Sequence, residues 1–210
     1  MEEWFRKFYA VLSRPIEARS RLVLALLVLP LAVSFLFPLW RIRMEAPQYP
    51  KGLYVDIYAY RLDGGNHGHD ITEINSLNHY IGMMKLERSS IPELGWIPFA
   101  FGFLAVLALR AAAVGSLRDL VDLGVLLSYV SLFFFARFVL MLYNYGHRLD
   151  PQAAVKVKPF MPVVIGTKQI ANFTTHSFPH FGTLFLGVFA VGVMLAVGWH
   201  LRREWRRAVA

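Results

Sequence analysis

Four apolar stretches constrain this chain more than anything else in it. Residues 22–40, 96–114, 120–145 and 181–201 each hold at most two charged side chains. A hydrocarbon layer about 30 Å thick is crossed by roughly twenty residues of helix, because each residue advances the axis by only about 1.5 Å. The composition agrees, at 56% hydrophobic and 17% charged, which is too apolar for an ordinary soluble domain. The fold class expected is an α-helical membrane protein: four transmembrane helices with a small α/β extramembrane cap made of two loops. The charged leader before residue 22, and the lack of a small-residue cleavage site at Phe37-Pro-Leu-Trp-Arg41, argue against a cleaved signal peptide.

Basic residues orient these spans. Arg6, Lys7, Arg14, Arg19 and Arg21 precede the first, Arg110 and Arg118 flank the turn after the second, and Arg202, Arg203, Arg206 and Arg207 follow the fourth. The positive-inside rule assigns those ends to the cytoplasm. This predicts a multi-pass protein of the cell inner membrane, with both termini cytoplasmic and two long periplasmic connections, 41–95 and 146–180. The net charge of +8 is then a topology signal. No nucleic-acid partner is expected, because the arginines cluster at span ends and line no groove-sized face; the expected surroundings are the lipid bilayer.

Within this frame, residues 1–21 alternate apolar and basic positions at helical spacing and predict an interfacial amphipathic helix ending near Ser13 to Pro15, and 202–210 form a cytoplasmic tail. In the first connection, Leu53, Val55, Ile57 and Ala59 alternate with Tyr54, Asp56, Tyr58 and Tyr60, the period of a half-buried strand. Asp63-Gly-Gly-Asn66 predicts a turn with its glycines at positive φ. Asp70 and Glu73 have capping-box spacing ahead of a short helix over 71–81, striped by Ile74, Leu77 and Ile81 and stopped at Gly82. In the second connection, the β-branched run 163–180 predicts strands or an extended clamp. Arg137 stands inside the third span, where an unpartnered cation costs at least about 2.5 kcal/mol; it either snorkels to the outer interface or pairs with a group on a partner subunit.

The histidines are one-sided: of seven, only His200 lies at an inner end, while His67, His69, His79, His147, His176 and His180 fall in outward segments. Residues 63–84 alone gather three histidines, three asparagines and the pair Met83-Met84. His67-Gly-His69 offers two imidazoles from one turn. His79 and Met83 are four apart, and would share a helix face if the helix survives Gly82. His176 and His180 are also four apart, though Pro179 argues against a regular helix there. Imidazole with thioether favours copper, Cu(I) above all. Each feature also has a plainer reading: Met83 and Met84 as filler in apolar space, His79 as a hydrogen-bonded structural residue, His67 and His69 as solvated loop. Without cysteine, covalent haem attachment is impossible; a non-covalent haem at the interface would have His147 and His180 as its candidates. No hydrolase, phosphate-loop or dinucleotide motif is present, so the chain is not expected to be an enzyme. Aromatic richness near the outer interface leaves quinol handling as a weaker third class.

The segment Asn78-His-Tyr-Ile-Gly-Met83, with Tyr49-Pro-x-Gly-Leu-x-Val-x-Ile57 before it and Ile165-Gly-Thr-Lys-x-Ile-Ala-Asn-Phe173 after it, resembles the NosB-like small membrane accessory proteins associated with nitrous-oxide and nitric-oxide reductases. The resemblance spans most of the chain. It implies a respiratory, copper-linked or assembly role without a reaction of its own, and carries Asn78, His79, Tyr80, Gly82 and Met83 as its matching positions. The functional expectation is a membrane accessory protein of a respiratory nitrogen-oxide reductase, binding copper transiently through His79, Met83, His67, His69, His176 and His180, with Asn78, Tyr80, Met84 and Arg137 in support. The alternative is a permanent structural or electron-transfer subunit of a reductase or haem-copper oxidase, with no metal of its own.

Overall fold

The structure is a computed structural model that describes residues 2–170 and 173–209. Two positions of the third resemblance segment, Ala171 and Asn172, lie outside the described residues. In chain order come α1 (Glu2–Leu12), α2 (Ala18–Val33), a 3-10 turn at Ser34–Leu36, β1 (Trp40–Ala46), β2 (Tyr49–Ile57), β3 (Leu62–Gly64), α3 (His69–Tyr80), α4 (Glu93–Val114), α5 (Leu117–His147), β4 (Gly166–Ile170), β5 (Phe173–Pro179) and α6 (Phe181–Val209). Among the described residues, four helices are long and apolar enough to cross a membrane: α2 with its 3-10 extension, α4, α5 and α6.

The expected boundaries shift in informative ways. The first span gives way early, because Trp40 already opens β1. The expected cytoplasmic tail, 202–210, is helical as far as Val209, in continuation of α6. The third span is a single helix of 31 residues, or about 46 Å at 1.5 Å per residue, well beyond a 30 Å hydrocarbon layer.

Two compact units divide the chain. The helical unit comprises Met1–Val33, Phe99–Leu132 and Phe185–Ala210. Its core is aliphatic, with Leu24, Leu31, Leu104, Leu117, Leu120, Phe189 and Val193 buried. The turn between α4 and α5 shows how the ends are satisfied. Gly115 takes φ +73° and donates its N–H to Ala111 O, closing α4. Ser116 then caps α5, accepting the Asp119 N–H at 3.1 Å while its own hydroxyl donates to the Asp119 carboxylate, a reciprocal cap. Arg21 donates to the Ala112 and Ala113 carbonyls, placing a cation where the helix dipole is negative. The segment joining α1 to α2 lies along the same turn, with Ile16 N–H on Gly115 O and Leu117 N–H on Arg14 O. Buried Glu204 receives Arg14 at 2.9 Å and Arg207 at 2.7 Å, Arg203 pairs with Glu17, and buried His200 shares a 2.8 Å hydrogen bond with Ser20.

The sheet unit comprises Ser34–Pro98 and Phe133–Leu184. Both long connections enter one antiparallel sheet, order β3-β2-β1-β5-β4. Alternation in β2 holds as expected: Leu53 and Val55 are buried with Ile74 of α3, and Met44, Ile57, Leu62, Ile71, Leu77 and Leu86 pack round them. The central strands run directly out of helices. Trp40 faces Pro179 in register, the Leu39 carbonyl accepts from the His180 N–H and the Thr183 hydroxyl, and Gly182 N–H donates to Pro38 O. Trp40 also packs on Phe138 at 5.0 Å and donates its indole N–H to Ser177. The first turn of α6 is thus hydrogen-bonded to the segment that enters β1, and Trp40 of β1 to β5.

Candidate functional site

The residues 78–83 form a helix stop. α3 ends at Tyr80, Ile81 is its C-cap and Gly82 takes φ +76°. Gly82 N–H donates back to His79 O and Met83 N–H to Asn78 O at 2.8 Å, the paired bonds of a Schellman motif. The next stretch is tied down as well. The Asn78 amide reaches the Met84 carbonyl, and the Asn75 amide pairs with both backbone groups of Leu86, accepting its N–H at 2.6 Å and donating to its carbonyl at 3.1 Å. The second connection docks on this stop: Asp150 N–H donates to Gly82 O, Val155 N–H to Tyr80 O, and the Tyr145 hydroxyl to Lys85 O.

This geometry separates His79 from Met83 along the chain's course. His79 and Met83 would stack only on a helix continuing past Gly82, and the left-handed residue ends it. His79 has the Tyr80 ring as its neighbour, at 6.4 Å between centroids. The start of α3 departs from expectation too. The positive φ angles fall on Asn66, His67 and Gly68, whereas Gly65 has φ −56°. The helix starts at His69, earlier than expected, behind Gly68 as N-cap without a side-chain cap bond. Asp70 and Glu73 therefore form no capping box: buried Asp70 accepts the Tyr54 N–H at 3.0 Å, and Glu73 accepts the Tyr49 hydroxyl at 2.6 Å. That bond holds the Tyr49 pKa above its ordinary value, with desolvation and the Glu73 charge acting the same way.

The remaining histidines stand in separate settings. His176 lies on β5, directly across from Arg43 and Thr167. It shares a 2.8 Å hydrogen bond with the Thr167 hydroxyl and lies 3.9 Å from Glu45. His147 stacks on Tyr143 at 3.8 Å. His180 sits between β5 and α6, its ring edge-on to Phe181 and its Nδ1 buried without a hydrogen-bond partner. Among the described residues no group of three or more His, Asp or Glu could hold a metal.

What the sequence did not single out is the open face of the sheet. Alternation in β1, β2, β5 and β4 places Arg41, Arg43, Glu45, Tyr54, Asp56, Thr167, Thr174, His176 and Phe178 on the face opposite the α3 core. Arg41 grips buried Asp56 through two 2.6 Å hydrogen bonds and lies 4.6 Å above the Tyr54 ring. The Asp56 hydrogen bonds raise the Arg41 pKa against the opposing effect of burial. Arg43 pairs with Glu45 at 3.1 Å and donates to Lys51 O. Phe178 is 48% exposed amid these charges.

Arg137 is also settled differently from expectation. Its partner belongs to its own chain: Nε and Nη2 reach Glu93 Oε1 at 2.6 and 2.5 Å. Counted from the α4–α5 turn, Glu93 and Arg137 both lie about twenty residues out along their helices, so the pair meets at one level.

No protein family matches the chain, and no curated protein or solved structure is similar to it.

Proposed function

We propose that the chain is a multi-pass protein of the cell inner membrane, with both termini cytoplasmic and its sheet on the periplasmic side, that serves as a permanent docking subunit of a respiratory metalloreductase. The observation that carries this reading is the open sheet face. Its charges are already paired and held in rows by strand register, so binding a partner there costs little side-chain ordering. Exposed Phe178, across from Arg41 and on the same face as Arg43 and Tyr54, gives this face the aromatic and arginine composition of interface cores. The respiratory assignment rests on the resemblance of 78–83 and its flanking segments to NosB-like accessory proteins, which makes a nitrogen-oxide reductase the first partner and a haem-copper oxidase the second.

A metal of its own is no part of this proposal. The hexapeptide stops α3 and seats the second connection. Membrane insertion is supported by the length and apolarity of α2, α4, α5 and α6, and orientation by the basic clusters at their ends. Gentle detergent extraction from the native membrane tests the docking. A stoichiometric complex carrying the haem or copper spectrum of a reductase, and weakened by Arg43→Glu with Phe178→Ala, is the expected result. A free monomer with no such spectrum in its fraction would remove the proposal.

A further inference from the structure

Beside the Arg137–Glu93 pair the first turn of α4 and the 133–137 stretch of α5 flank a cleft of about 460 Å³, lined by Pro92, Glu93, Trp96, Phe133, Phe134 and Arg137. This volume lies within the range of roughly 300–1,000 Å³ typical of small-molecule sites. Its walls are aromatic, with Trp96 70% and Phe133 57% exposed; its floor is the ion pair. Both contacts fall on one carboxylate oxygen, and no hydrogen bond among the described residues uses Oε2 of Glu93 or Nη1 of Arg137. The cleft therefore offers an acceptor and a donor side by side, with the Trp96, Phe133 and Phe134 rings in the same lining.

We propose that this cleft seats the headgroup of a zwitterionic phospholipid, its ammonium against Glu93 and the Trp96 and Phe133 rings, its phosphate on Arg137. The charges decide the occupant. A carboxylate flanked by aromatic faces is how proteins recognise ammonium groups, and a guanidinium fits a phosphate. The two protein charges stand in hydrogen-bond contact, which matches the spacing of opposite charges within one ethanolamine phosphate. An anionic lipid would leave Glu93 facing a hydroxyl and meeting uncompensated negative charge, and a free phosphate would leave the aromatic wall without a purpose. Depth agrees with this occupant. If the α4–α5 turn lies at the inner boundary, about twenty residues of helix bring Glu93 and Arg137 about 30 Å outward, to the level of the opposite headgroups. This inference rests on membrane insertion alone and is independent of the docking proposal.

The test uses the whole chain, delipidated in detergent, with native mass spectrometry reading the bound fraction of phosphatidylethanolamine, phosphatidylglycerol and a short-chain quinone added singly and in competition. The expected result is one phosphatidylethanolamine retained, in preference to phosphatidylglycerol by about threefold or more, as an ammonium–aromatic contact supplies. Glu93→Gln should abolish the preference, and Trp96→Leu with Phe133→Leu, which leaves the ion pair intact, should reduce it in a chain that still elutes as wild type. Equal retention of both lipids, displacement of both by the quinone, or unchanged discrimination in the Trp96 and Phe133 variant would each overturn the proposal.

Discussion

Single residues decide where the cap bends, and Gly82 shows how. Its φ of +76° alone penalises a side chain by roughly 1–2 kcal/mol. A Cβ there would also stand 2.9 Å from the Asp150 backbone N and O, closer than the docked second connection can absorb. Gly68 has φ +91°, and a Cβ on it would meet nothing within 4 Å. Gly68→Ala should therefore lose the conformational part only, and Gly82→Ala visibly more, measured as thermal unfolding in detergent. Equal losses would mean that the second connection does not seat on the helix stop. Tyr49 supplies a second residue-scale prediction. Its pKa is raised because its hydroxyl donates to Glu73, so the folded state favours the neutral phenol. The stabilisation is fully present below the ordinary tyrosine value of about 10 and is lost as pH rises through the higher folded value. Of the nine tyrosines, one late-titrating phenol should vanish from an ultraviolet alkaline titration in Tyr49→Phe and titrate earlier in Glu73→Gln.

At the scale of elements, the connection that follows α3 depends on one amide. Asn75 satisfies both backbone groups of Leu86, so Asn75→Ala should cost about 1–3 kcal/mol by leaving both unpaired in a partly buried site. Ser76→Ala, whose hydroxyl only donates to Thr72 O on the exposed side, should stay within about 0.5 kcal/mol; the two melting curves settle it. The same scale shows what can be read from the chain and what cannot. β2 is legible because its alternation stands between turn residues. β1 carries an equally regular pattern, Trp40-Arg-Ile-Arg-Met-Glu-Ala46, with apolar and charged residues taking turns. It is masked because the apolar run before it continues to Trp40, so that helix length and strand period compete for one residue. The capping box fails for a tertiary reason: Asp70 is worth more buried against the Tyr54 N–H of β2 than as a local cap. His79 and Met83 share no helix face because spacing by four implies one face only inside an unbroken helix, and the glycine between them is itself the break. Arg137 can be placed only with the hairpin's register, since Glu93 is 44 positions away in sequence.

For the molecule as a whole, docking and lipid binding both depend on the insertion of α2, α4, α5 and α6, and docking depends also on α1 lying inside and the sheet outside. The charge argument is specific. Arg6, Lys7, Arg14, Arg19 and Arg21 gather before α2, and Arg202, Arg203, Arg206 and Arg207 close α6, whereas Arg41, Arg43 and Arg61 on the sheet side each face a carboxylate, Asp56, Glu45 and Asp63. Compact basic clusters directly beside the spans are the feature that retains those ends in the cytoplasm. The chain contains no cysteine, so a single introduced thiol reports without background. Lys51→Cys, in exposed β2, should react with a membrane-impermeant maleimide in intact spheroplasts. Glu3→Cys, whose side chain is 79% exposed on α1, should react only after the membrane is opened. Reversed labelling would place the sheet in the cytoplasm and end the case for a periplasmic partner. Labelling of both sites before permeabilisation would put α1 and the sheet on one side, and because α2 is the only span between them, it would then not cross the membrane at all.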